Sequence, residues 1–237
     1  MLKVLELFSG TGSVGKVAKS LGWDVLSLDL ELEADIKIDI MDWDYKAYPR
    51  NSFDIVWASP PCTFYSNLQN CWLGKKKKDG TILTKELLEE QRKESDKLII
   101  KTLEIINYFN PELWFMENPQ RGQLKDRDVV KGLNYYDVSY CMYSDWGYEK
   151  RTRIWTNKKD WKNLICDKSG DCGNMIGSLH QKNLGNSDRN KRARKHRLSC
   201  DGGYDKRIKT PYPIHNGTSQ LDRYRIPEEL IYSLFLF

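Results

Sequence analysis

Residues 3–23 read strand, glycine turn and helix in immediate succession: "KVLELF", "SGTGSVG" and "VGKVAKSLGW". The second strand, "DVLSLDLE", starts straight after that helix. Two strands joined by a crossover helix lie parallel, which excludes all-β and all-α architectures. The alternation persists through a short "IKIDI", a buried strand "FDIVWAS", a long helix over 84–108 with apolar spacing of three and four, and the strands "PELWFMENP", "YYDVSYCMYSDWG" and "RTRIWTN". The predicted fold is therefore α/β, a doubly wound and mostly parallel sheet. Ligands and catalytic groups of such sheets gather at the carboxyl ends of the strands.

The pattern stops after Asn157. Residues 158–220 are rich in Gly, Asn, Lys and Arg, and regular order returns at "RYRIPEELIYSLF", where Pro227 suits the first turn of a terminal helix. We expect a catalytic domain over 1–157, a small irregular basic module over 158–220, and a C-terminal helix over 221–237 that packs back on the catalytic domain. Net charge is only +5, but between Asp188 and Lys209 nine Lys or Arg face three Asp. That asymmetry fits an anionic partner, with a solvated basic loop as the plain alternative. No apolar run has membrane-spanning length, so an intracellular protein without a membrane partner is expected, and a monomer.

Four strand exits carry chemistry. At the first, Gly10, Gly12 and Gly15 free backbone amides at a helix start, a pattern that also suits dinucleotides or tight packing. Asp29 and Glu31 close the next strand, where an acid often meets a ribose. The third exit is "ASPPCTFYSN": Pro60 and Pro61 fix the backbone direction just before Cys62, and the chain then turns polar. Glu117-Asn118-Pro119 ends another apolar strand, where a carboxylate is costly unless it faces a cleft and has a partner. Last come Arg151 and Arg153, alternating along a strand and able to meet a base carbonyl or phosphates.

Taken in order, the Phe8–Gly15 loop, Pro61-Cys62, Glu117-Asn118 and Arg151-x-Arg153 resemble the cytosine-C5 DNA methyltransferases, most of all the compact ones of phages and large viruses. The resemblance covers residues 1–157 and the C-terminal helix, and implies the Rossmann-like class I fold of S-adenosylmethionine-dependent methyltransferases. It implies S-adenosylmethionine as cofactor, lined by Phe8, Gly10, Gly12, Val14 and Pro61, with Asp29 on the ribose and Asp39 and Ile40 at the adenine. It further implies that Cys62 attacks C6 of a cytosine flipped from duplex DNA, that Glu117 engages N3 and the exocyclic amine, and that Arg153, with Arg151 beside it, holds O2. The sequence departs from the family at Thr63 and Pro119, where glutamine and valine are usual, and at Glu149, where glutamine is usual.

The chemistry explains the residue types. Cytosine C5 is too weak a nucleophile to take a methyl group directly; thiolate addition at C6 makes it an enamine carbon, and a thiolate can leave again afterwards. The same residues serve a tRNA-methylating enzyme of this fold, so RNA is an alternative substrate. A catalytically silent nucleic-acid-binding protein is the rival from another class. Cys166, Cys172, Cys200, His180, His196 and His215 follow residue 158, but their spacing lacks the tight pairs of common zinc sites. Reduced, unligated cysteines are expected there, and no metal ligand is assigned.

Overall fold

The computed structural model describes residues 1–76, 79–176, 179–181 and 224–236. Seven strands form one sheet: β1 (Lys3–Leu7), β2 (Asp24–Asp29), β3 (Ile36–Lys37), β4 (Ile55–Ala58), β5 (Leu113–Pro119), β6 (Tyr135–Ser139) and β7 (Arg151–Thr156). Their order is β3-β2-β1-β4-β5-β7-β6. β1 pairs in parallel with β2 and β4, β4 pairs in parallel with β5, and β7 runs antiparallel to β5. This is the mostly parallel, doubly wound α/β sheet that the strand–helix alternation predicts. A two-stranded hairpin, β8 (Met175–Ile176) with β9 (Leu179–His180), lies outside it.

Every residue of β4 is buried, as a central strand covered on both faces must be. Helices α1 (Ser13–Ser20) and α2 (Lys85–Phe109) supply cover. In α2 the buried positions Leu88, Ser95, Ile99, Thr102, Ile106 and Phe109 recur every three or four residues, apart from one double step. Thr84 caps α2 by accepting the Leu87 amide, and Asn110 ends it in the left-handed region at φ 46°. Leu5, Leu7, Val56, Met116 and Trp155 from the sheet pack with Ile99 and Phe109 of α2 in one core. Around Phe109 stand Phe53, Tyr45 and Tyr108, all edge-on at 4.9–6.3 Å.

The stretch "YYDVSYCMYSDWG" reads as one strand in sequence but is not. β6 stops at Ser139 and a 3₁₀ turn covers Tyr140–Met142, because the Tyr140 amide turns to the Lys150 carbonyl. Contacts divide the chain into two units, Met1–Asp137 with Arg151–Lys162, and Val138–Lys150 with Asn163–Phe237. The sequence reading placed its boundary at Asn157. The last helix, α3 (Glu228–Leu236), groups by contacts with the second unit, where Arg225 lies over the Trp146 ring at 4.8 Å. The basic stretch from Asp188 to Lys209 falls outside the described residues.

Candidate active site

At the β1 exit the backbone takes three left-handed steps, at Phe8 (φ 56°), Gly10 (φ 56°) and Gly12 (φ 64°). A phenylalanine in that region is strained, a condition that tends to persist at ligand sites. The Asp29 carboxylate holds the loop. Its Oδ2 accepts the Gly10 amide at 2.9 Å, and its Oδ1 accepts those of Glu31 and Leu32. Three of roughly four acceptor positions are thus occupied by backbone. Asp29 is first a brace between the β1 and β2 exits.

A second brace was invisible as a motif. Glu6, 3% exposed within β1, accepts the Val14 and Gly15 amides at the start of α1, at 3.1 and 2.9 Å. An acid inside an apolar strand is the signal that could have found it, because a buried carboxylate needs a partner. Gly15 is glycine for this reason: a Cβ there would sit 2.6 Å from Glu6 Oε2 and 3.2 Å from Val25 Cγ1. Burial pushes the Glu6 carboxyl up from 4.5 to about 7, against the amides of Gly15 and Val14 and the charges of Lys19 and Lys16.

The sign of the resulting pH dependence follows. The folded chain holds this proton more tightly than the unfolded one. The contribution of Glu6 is therefore complete below about pH 4.5 and is lost as pH rises through about 7, by on the order of 3 kcal/mol. In urea melts, the stability of wild type relative to Glu6→Gln should fall between those pH values. A pH-independent difference would show that the carboxyl ionises normally.

The remaining residues of the expected cofactor pocket divide. Val14 and Ile40 are buried core side chains, 0% and 2% exposed. Asp39 forms a turn by accepting the Met41 amide at 2.9 Å. Around Gly12 a Cβ would meet nothing within 4 Å, and Ser9 Oγ is buried without a hydrogen bond among the described residues. Open space beside glycine, an unsatisfied hydroxyl and acids at the β2 exit fit a cationic nucleoside ligand.

Cys62 sits where β4 breaks. The ladder runs one residue past β4, through Ser59 N to Leu7 O, and stops at prolines that lack the amide to continue it. Asn118 is fully buried, and its Nδ2 donates to the Pro60 carbonyl at 2.9 Å, fixing the proline pair from β5. Farther along, Asn67 Nδ2 donates to Arg121 O, the Gln123 amide to Tyr65 O, and Gln123 Nε2 to Asn67 Oδ1, at 2.6–2.7 Å. Gly122 lies between these two loops, where a Cβ would stand 3.1 Å from Pro119 O. The seam borders an open cavity of about 280 Å³ lined by Cys62, Ser66, Asn67, Leu68, Pro119, Arg121 and Gly122. Cys62 is half-buried at this cavity.

Behind the loop runs a buried polar chain that the sequence did not reveal. The Tyr65 hydroxyl donates to Asp96 Oδ1 of α2 at 2.9 Å, and Arg127 pairs with both Asp96 and Glu89. Arg92 adds a bond from Nε to Phe64 O at 3.2 Å. Burial and the Asp96 carboxylate push the Tyr65 phenol up, so it stays a donor. The thiol-bearing loop is anchored at both ends.

Glu117, 7% exposed, stands opposite Ile154 in the β5–β7 register, whereas Asn118 stands opposite Arg153. Neighbouring residues of a strand face opposite sides, so Glu117 and Arg153 leave the sheet on different faces. Arg153 makes a two-point ion pair with Asp137 at 2.7 and 2.8 Å and stacks on Tyr135 at 3.6 Å. The Arg153 guanidinium is thus held by Asp137 and Tyr135 beside β7. Arg151, half-buried, gives its carbonyl to Gln120 N.

A seven-stranded sheet in this order, with antiparallel β7 and a glycine loop after β1, defines a Rossmann-like fold of the methyltransferase class. No family profile matches the sequence. Over 237 residues, 98% of each chain, it is 34% identical to a Frog virus 3 (isolate Goorha) protein named "Probable DNA (cytosine-5)-methyltransferase". The chain belongs to the DNA (cytosine-5)-methyltransferase family. Two solved structures overlap in part. One is an Escherichia coli prophage protein described as a "putative DNA modification methyltransferase", at TM-score 0.44, 15% identity and 66% of this chain. The other is the Entamoeba histolytica methyltransferase EhMeth, at TM-score 0.45, 16% identity and 70% of this chain. The overlap spans about half the length of those two proteins, 46% and 56%.

Proposed function

We propose that the chain is an S-adenosylmethionine-dependent DNA methyltransferase that acts on cytosine C5 through a covalent bond from Cys62 to C6. One observation carries the reading: Cys62 is presented at a cavity by a proline pair that Asn118 locks from the neighbouring strand. The cavity lies near the lower end of small-ligand pockets, about 300 Å³, so it suits one extruded base and not a duplex. Thiolate addition at C6 moves the ring electrons toward C5, with Glu117 assisting at N3. Loss of the C5 proton later restores the double bond and expels the thiolate. When bound, the cofactor would supply the electrophilic methyl group, and Gly10, Gly12, Ser9 and the acids at the β2 exit would hold it.

DNA as substrate is supported by the family and by an exposed aromatic–cation pair on the chain that follows Cys62. Trp72 is 56% exposed with Lys75 over its ring at 5.3 Å, a pairing suited to bases and phosphates. The deciding experiment is transfer of labelled methyl groups to duplex DNA and to tRNA, followed by bisulfite sequencing of the product. 5-Methylcytosine in DNA is expected; label confined to tRNA would overturn the substrate.

The cofactor position carries its own test. Asparagine tolerates left-handed φ, so Gly12→Asn keeps the turn while filling the open space. S-adenosylmethionine affinity, by calorimetry, should fall at least roughly tenfold while the melting temperature holds. Unchanged affinity would put the cofactor elsewhere.

A further inference from the structure

Four side chains in the second unit converge that sequence spacing had left scattered: Cys141, Cys166, Cys172 and His180. Cys141 escaped notice because it lies before the irregular segment, in the 3₁₀ turn after β6. Their ligand atoms all lie within 4.8 Å of one another, and His180 Nε2 stands 3.6 Å from both Cys166 Sγ and Cys172 Sγ. Zinc bonds of about 2.3 Å to sulfur and about 2.0–2.1 Å to nitrogen give a tetrahedron whose S···N edge is about 3.6 Å. The observed separations match that edge.

The surroundings hold the ligands in place. Asn174, 2% exposed, donates through Nδ2 to the carbonyls of Cys141, Ser144 and Cys172 at 2.7–2.8 Å, and its Oδ1 accepts the Gly147 amide. One buried amide thus ties the backbone of two cysteines together. The β8–β9 hairpin then sets His180 opposite Met175, three residues after Cys172. Among the described residues of 163–181, the buried side chains are Cys166 and Asn174. Among the residues whose burial is described, this segment buries no aliphatic or aromatic side chain of its own, and such a segment needs a staple.

We infer that Cys141, Cys166, Cys172 and His180 bind one zinc ion, which fixes the fold of the second unit. Four protein ligands leave no open position, so the site is structural and takes no part in methyl transfer. The ligands are three thiolates and a neutral imidazole, so binding releases the three thiol protons.

The test uses the full chain purified without chelator, with metal measured by mass spectrometry. One zinc per chain is expected. Cobalt exchanged into the protein should give the intense thiolate-to-metal absorption of a sulfur-rich tetrahedral site. Cys172→Ser and His180→Ala should lower zinc to a small fraction of one equivalent, while Cys62→Ser and Cys71→Ser retain it. If the ligand variants do not fold, alkylation of wild type decides. Cys172 is only half-buried, yet it should react slowly until a strong chelator is added, whereas exposed Cys71 reacts at once. Protein that melts identically with and without zinc, or zinc that disappears with Cys62, would overturn the site. So would a disulfide between any two of the three cysteines in freshly purified protein.

Discussion

Cys62→Ser is expected to abolish methyl transfer while leaving S-adenosylmethionine affinity and melting temperature nearly unchanged. Serine keeps the size of the side chain, so the lock from Asn118 to Pro60 is undisturbed. What it removes is a nucleophile that exists in useful amount as its anion near neutral pH and can also depart from C6. DNA bearing 5-fluorocytosine should trap the wild-type protein as a stable adduct, because fluorine cannot leave C5 as a proton does. The serine variant should form none. Turnover by Cys62→Ser, or an adduct mapped by mass spectrometry to Cys71, would remove Cys62 from the mechanism.

The parts of this molecule that sequence disclosed are those written locally. Strand–helix alternation gave the sheet, and the α2 helix expected over 84–108 runs from Lys85 to Phe109. Both follow from side-chain periodicity within one segment. The strand exits were legible for the same reason: Ser59-Pro60-Pro61 cannot continue a ladder, wherever its partners lie. What stayed hidden depends on contacts across long stretches of chain. Tyr65, Asp96 and Arg127 are individually ordinary, and only the fold brings them into one buried chain. Cys141 is separated from Cys166 by a strand and a turn, so counting intervals after residue 158 missed it. Arg153 is a further case. Its guanidinium pairs with Asp137, a partner that no local pattern announces.

Glu117→Gln should lower kcat by about 10²–10⁴-fold, the range for loss of general acid assistance, with little change in DNA affinity. The argument starts from burial. Glu117 is 7% exposed on the strand that also carries Asn118, which locks the thiol loop, and glutamine matches its shape while removing the ionisable carboxyl group. A carboxyl that only supported the fold would behave differently. Glutamine would then lower the melting temperature, and lower temperature or a stabilised background would restore turnover. A carboxyl that works at N3 leaves stability alone, removes the pH dependence of kcat that it governs, and slows formation of the 5-fluorocytosine adduct by a similar factor. The adduct measurement separates these roles most cleanly, because addition at C6 precedes every later step. If Glu117→Gln forms the adduct as fast as wild type and still turns over slowly, the carboxyl acts after addition, and its assignment to N3 fails.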